Sequence, residues 1–156
     1  MKIELWSLES AKSEWLSALQ AEYKTKVNRF VPFEIVRLKV SHSTRSEKNR
    51  KIKEESETIL NRLKSDDLLL VFDEHGFKLD TKKFTKKLIH FIETHPGRLI
   101  LLIGGAYGLG DEVKKMAREQ WCLSDLTLNH LLAQSVLLEQ VYRAITIWKG
   151  IPYHNE

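Results

Sequence analysis

The sequence predicts an α/β protein built on a mostly parallel sheet flanked by helices. Three observations carry that expectation. Segments with a period of two alternate with segments whose apolar residues recur about every four positions. Two runs, LLLVFD at 68–73 and RLILLI at 98–103, are apolar on both faces, as central strands of a parallel sheet are. The second run leads into LLIGGAYGLGDEV, which holds four of the chain's seven glycines. In such sheets ligands bind beyond the carboxyl ends of strands, so a glycine turn there is the first place to look for a site.

The elements follow in order. Residues 2–8, KIELWSL, alternate as a strand, with Ile3, Leu5 and Ser7 on one face and Glu4 and Trp6 on the other. Residues 11–28 change period. Trp15, Leu19, Tyr23 and Val27 line one side of a helix, with Ser10 or Ser13 as its cap. Pro32 breaks that pattern, and 33–40, FEIVRLKV, reads as a second strand with Phe33, Ile35 and Val36 inward. Residues 41–55 are polar and basic and predict a mobile loop leading into a helix over about 47 to 64. Ile52, Ile59, Leu60 and Leu63 give that helix a thin apolar stripe. Two readings of the segment stand: a solvated surface helix, or a basic flap whose Arg45, Lys48, Arg50 and Lys51 meet phosphates.

LLLVFD is the third strand, ending in a turn at Asp73, Glu74, His75 and Gly76. Residues 80–93 form a helix opened by Asp80 or Thr81, with Phe84, Leu88, Phe91 and Ile92 inward, and stopped by His95, Pro96 and Gly97. After the fourth strand, RLILLI, and its glycine turn, Asp111 and Glu112 open a helix towards Gln120, where acids suit the positive helix end. Residues 122–128, CLSDLTL, are a last strand or an extended loop. The final helix, 130–148, is apolar over so wide an arc that it needs two burial partners: its own sheet, and a second surface such as another subunit. A short tail, 150–156, follows. No repeat or linker divides 1–156, so one domain is expected.

Composition narrows the class. A hydrophobic fraction of 42% and a charged fraction of 29% suit an ordinary globular protein rather than a disordered or membrane chain. No apolar run is long enough to span a bilayer, so no membrane partner is expected. The net charge of +4 and an isoelectric point of about 9.1 tilt towards a polyanionic partner. Cys122 is the only cysteine, which excludes an intrachain disulfide and favours a reducing compartment, the cytoplasm. Beside Trp121 it reads as a packed thiol rather than a nucleophile. The six histidines show no His-x-x-x-His spacing, and no metal is expected.

The glycine turn matches neither common phosphate cradle. No lysine follows the glycines as in a P-loop, and Gly105, Gly108 and Gly110 reverse the spacing of a dinucleotide fingerprint. Four blocks taken together, VFDEHG, LLIGGAYGLGDEV, LSDLTLNHLLAQSVLLEQVYRA and the terminal PYH, resemble the RlmH family. Those are methyltransferases of the SPOUT superfamily that act on N3 of a pseudouridine in 23S ribosomal RNA. The resemblance spans nearly the whole chain and is faintest over 41–64. It implies a SPOUT-type trefoil-knotted α/β domain, a homodimer, S-adenosylmethionine as cofactor and 23S ribosomal RNA in the assembled ribosome as partner.

By the same resemblance Phe72, Gly104, Leu123, Ser124, Asp125, Leu126, Thr127 and Leu128 bind the cofactor. Core packing is the plainer reading of Leu126 and Leu128. Tyr153, His154 and Arg143 are the expected catalytic residues. His154 would accept the N3 proton or hydrogen-bond a uracil carbonyl, and Tyr153 would position the base. Arg143 would meet a phosphate or pair with Glu139 one turn earlier. His130 is a cap neighbour or a substrate contact. Two departures from the family pattern stand out: Asn155 where a basic residue often follows the tail His, and Ala106-Tyr107 where a Pro-Glu pair also occurs. The competing classes are another SPOUT-type RNA methyltransferase, a nucleotide-binding enzyme on a parallel sheet, and a ribosome-binding factor without catalysis.

Overall fold

A computed structural model describes residues 1–8, 12–41 and 47–155. Within them strands and helices alternate: β1 (Lys2–Leu8), α1 (Glu14–Asn28), β2 (Phe33–Leu38), α2 (Lys48–Arg62), β3 (Leu68–Lys78), α3 (Thr81–Thr94), β4 (Arg98–Ile103), α4 (Asp111–Met116), β5 (Glu119–Cys122) and α5 (His130–Trp148). The strands form one sheet in the order β2-β1-β4-β3-β5, parallel throughout.

Strand alternation sorts the core into two layers. On one face Ile3 and Leu5, Leu70 and Phe72, and Leu99, Leu101 and Ile103 pack against α1, α3 and α5. On the other, Trp6 and Leu8, Leu69 and Val71, and Ile100 and Leu102 meet Ile59 of α2 and Val113 of α4. RLILLI is therefore apolar on both sides because it is covered on both sides. Each such fully buried side chain contributes about 1.5–3 kcal/mol. β1 is buried on both faces too, beyond the half-buried strand its alternation predicts.

Some boundaries follow the sequence expectation and others differ from it. The basic segment 41–55 is helical from Lys48 onward; Arg45 lies outside the described residues, as does Ser10. Ser13 caps α1, its hydroxyl accepting from the Leu16 amide. Trp15 is 50% exposed, and Leu16 takes the buried place expected of it. α4 stops at Met116, and 119–122 becomes β5 instead of helix. Trp121 explains this. Its ring meets Phe72, Phe84 and Phe91 with centroids 5.9, 5.4 and 6.3 Å away, and that burial overrides local helix propensity. Residues 123–129 are a loop, not a strand.

The polar stretch after LLLVF does not end β3. Both Phe72 and Phe77 lie opposite Trp121, so residues 73–76 bulge out between them. The bulge presses on β5. A Cβ added at Gly76 would stand 2.6 Å from the Trp121 carbonyl carbon, so only glycine fits. To reach β5 the chain passes β3 on the α2/α4 face, and after β5 it returns to the opposite face as α5.

The amino-terminal edge of the sheet is tied by charge. Arg98 donates from Nε and Nη2 to Asp67 at 2.8 and 2.6 Å, and from Nη1 to Glu4 at 3.3 Å. The Trp6 indole donates to Glu4 at 2.8 Å, and the Arg62 and Arg98 guanidiniums lie 5.6 and 5.7 Å from the Trp6 ring. Burial alone would raise the pKa of Asp67. The Arg98 and Lys64 contacts outweigh it and hold the carboxyl below its ordinary value.

Arg98→Ala should destabilise the fold by about 3–5 kcal/mol, because it strands the Asp67 carboxylate, whose side chain is only 1% exposed. The paired Asp67 adds stability above its unfolded pKa of about 3.9 and loses it as pH falls through the lower folded value. In the variant the carboxyl keeps only its Lys64 partner, so its folded pKa rises and less stability is lost on acidification. Urea melts from pH 7 down to pH 3 should show the gap between the two proteins narrowing.

Candidate functional site

Three segments converge at one end of the sheet: the 73–76 bulge within β3, the 104–110 glycine turn after β4 and the 123–129 loop after β5. They enclose a cleft of about 700 Å³. Phe72 and Ile103 form its floor where the strands end. From the 123–129 loop Leu123, Ser124, Leu126, Thr127 and Leu128 line it, and Gly104 lines it from the glycine turn. Asp125, expected beside them, does not. Its carboxylate pairs with Lys78 at the end of β3, which ties the loop to the strand.

Each loop has a local cause. Gly108 N–H donates to the Gly105 carbonyl at 3.1 Å, closing a four-residue turn with Ala106 and Tyr107 at its centre. Gly108 then takes φ +79°, a left-handed value that disfavours other residues. In the next loop the Ser124 hydroxyl accepts from Leu126 N–H at 3.0 Å, and the Cys122 thiol donates to the Ser124 carbonyl at 3.0 Å. Cys122 is thus a packed thiol beside the cleft. Asn129 ends the loop as the cap of α5, accepting from the amides of Leu131 and Leu132 at 3.1 and 2.9 Å. His130 follows at the cleft wall.

The wall also contains an ion pair that sequence reading missed. Lys114 of α4 donates to Asp73 at 2.8 Å, and the other Asp73 oxygen accepts from His75 N–H at 2.9 Å. Burial pushes the Asp73 carboxyl up, but these two donors outweigh it and keep its pKa below the ordinary value. Asp73 sits at a strand end and Lys114 in a helix, and nothing in the spacing announces that they meet. Among the described residues no three His, Cys, Asp or Glu side chains converge as a metal-ligand set, and no helix is long and apolar enough to cross a membrane.

The catalytic candidates form a second cluster. Arg143 pairs with Glu139, as the plainer sequence reading had it, with Nε 3.0 Å from the carboxylate. Its Nη1 also lies 3.0 Å from Nδ1 of His154. The Tyr153 hydroxyl donates to Glu139 at 3.1 Å, and its ring packs edge-on against Tyr142 with centroids 4.9 Å apart. Burial first, then the hydrogen bond with Tyr23 and the Glu139 charge, push the Tyr153 phenol well above its ordinary pKa. Arg143, Tyr153 and His154 are thus brought together, but none of them lines the cleft. Along α5, the ten-residue step from Ala133, which lines the cleft, to Arg143 rises about 15 Å.

The family model described as "Predicted SPOUT methyltransferase" matches residues 1–154. The chain is 44% identical over 155 residues to a ribosomal RNA large subunit methyltransferase H from Bdellovibrio bacteriovorus, covering 99% of each. It is 36% identical over 156 residues to the protein of that name from Syntrophotalea carbinolica, again covering 99% of each. To the one from Cytophaga hutchinsonii it is 34% identical over 155 residues, covering 99% of this chain and all of the relative. With its α/β parallel sheet and this full-length likeness, the chain belongs to the SPOUT methyltransferase family and, within it, to the RlmH group.

Proposed function

We propose that this protein transfers a methyl group from S-adenosylmethionine to N3 of a pseudouridine in 23S ribosomal RNA, on the assembled ribosome, as a cytoplasmic homodimer. One observation carries the reading. The residues expected to bind the cofactor, Asp125 apart, lie around a single cleft at the carboxyl ends of the central strands.

The cleft suits such a ligand. Its volume of about 700 Å³ falls within the range of sites that enclose small molecules. Phe72, Ile103, Leu123 and Leu128 supply apolar surface for the faces of a purine. The turns at 104–108 and 123–128 are non-helical backbone able to offer N–H and C=O groups to its edge. The Asp73–Lys114 pair holds the bulge against α4, so the wall keeps its shape. When bound, the cofactor supplies an already activated methyl on its sulfonium. What the protein must add is alignment, which can be worth about 7–11 kcal/mol.

The geometry of the tail cluster supports a role for His154 in holding the base. Arg143 is always protonated and only donates, so Nδ1 of His154 accepts and Nε2 carries the proton. In that form His154 offers an N–H to a uracil carbonyl, and the N3 proton leaves to water. Tyr153, held by Glu139 and Tyr142, presents a ring edge beside it. Because about 15 Å of α5 separates this cluster from the cleft of the same chain, the tail serves the cleft of the other subunit.

Four outcomes are expected. Mass spectrometry of 23S RNA from cells with and without the gene should differ by one methyl on one pseudouridine, and calorimetry should show preference for adenosylmethionine over ATP. An unchanged RNA or a preference for ATP would reject the reading. Two inactive homodimers, Gly104→Trp in the cleft and the pair Tyr153→Ala and His154→Ala in the tail, should regain activity when their subunits are exchanged. Persistent inactivity would place cleft and tail in the same chain's site. Lys114→Met leaves Asp73, with its side chain 8% exposed, unpaired. It should lower stability by about 3 kcal/mol and weaken adenosylmethionine binding in the folded variant. Undiminished affinity would remove the pair from the wall.

A further inference from the structure

We propose that Tyr107, together with Lys48 and Lys51, is a docking platform for one nucleotide of the RNA beside the methyl-accepting base. The inference rests on the RNA methyltransferase reading of the cleft and adds a site to it. Tyr107 is a central residue of the Gly105–Gly108 turn, at the cleft mouth, and 48% of it is exposed. A large aromatic ring contributes little to folding from such a position. Lys48 also lines the cleft, so the same mouth carries a ring and a cation.

The cations are placed there by the fold. Lys48 and Lys51 stand three residues apart in the first turn of α2, on one side of the helix. Their ammonium groups lie 5.9 and 5.7 Å from the Tyr107 ring centroid. α2 is held in this position because Gly110 sits directly against its Ile52 and Ser56. Neighbouring cations are spoken for: Arg50 pairs with Glu54 at 3.2 Å and Lys114 with Asp73 at 2.8 Å. Among the described residues, Lys48 and Lys51 contact the ring and no carboxylate.

A half-exposed aromatic face flanked by two unneutralised ammonium groups has a defined chemical complement. A nucleobase stacks on the ring, and the adjoining phosphates take the ammonium groups. The lysines exchange a weak cation–π contact for charge-assisted bonds to phosphate, a favourable trade at an exposed site. A small anion alone would leave the ring unused, and an apolar protein segment would leave two charges stranded. Single-stranded RNA uses both.

The test compares Tyr107→Leu, Tyr107→Trp and the double variant Lys48→Gln, Lys51→Gln with the unaltered protein. Ribosome affinity and KM are measured across a salt series, adenosylmethionine binding by calorimetry, and oligomeric state by light scattering. Tyr107→Leu should weaken ribosome affinity on the order of tenfold, and Tyr107→Trp should retain it. The double variant should flatten the logarithmic salt dependence by about 1 to 2. Oligomeric state should stay unchanged in all three, and where ribosome affinity falls it should fall by a larger factor than any change in adenosylmethionine affinity. Unaltered ribosome affinity in Tyr107→Leu would overturn the platform. A cofactor loss as large as the ribosome loss would make Tyr107 only a wall of the cofactor cleft, and a dissociated dimer would make it a subunit contact; either overturns the proposal. If the unaltered protein binds ribosomes but transfers no methyl, the catalytic reading fails, while the affinity series still decides the platform.

Discussion

The chain leaving β3 lies directly against the backbone of β5. Residues 73–76 bulge out so that Phe72 and Phe77 can both face Trp121, and Gly76 leaves no room for a side chain between the two segments. Trp121 is only 1% exposed and fills the space among Phe72, Phe84 and Phe91. That packing draws 119–122 into the sheet and ends α4 early. It also brings the 123–129 loop level with the glycine turn. Without the approach at Gly76, three strand ends would not share one cleft.

The two edges of the sheet use charge differently. At the amino edge, Arg98 bridges Asp67 and Glu4 beneath Trp6, with the carboxylates almost wholly buried. That network joins the starts of β1 and β4 to the turn before β3, and it serves the fold. At the carboxyl edge, the Asp73–Lys114 pair lies in the cleft wall itself. There a charge pair shapes a surface that a ligand would touch. A buried pair with both partners in place is close to neutral in stability, so its value lies in geometry.

Much of this was legible in the residues. RLILLI reads as a fully covered strand because both faces are apolar, and both faces are covered. Asp80 caps α3 as its residue type suggests, accepting from Lys83 N–H at 2.8 Å. The stretch Asp73 to Gly76 was misleading. Its polar, glycine-ended composition is that of a turn, and a bulge differs only in whether the chain rejoins the same partner. α4 was overextended because Lys115 through Gln120 favour helix locally, and only the aromatic cluster around Trp121 favours strand. At the site, the cofactor candidates were found through resemblance. Asp73 and Lys114 were missed because each is an ordinary residue until its partner is known.

By itself the sequence determined the alternation of strand and helix, the burial of β3 and β4 on both faces, and the glycine turn after β4. These follow from local periodicity and from residues that constrain their own backbone. Only the tertiary structure decided which distant residues meet. It put Lys114 on Asp73, Lys48 and Lys51 beside Tyr107, and Arg143 on His154, about 15 Å of helix away from the cleft. Contacts between residues far apart in the chain depend on strand order, crossover path and helix length acting together, and no local pattern encodes that product.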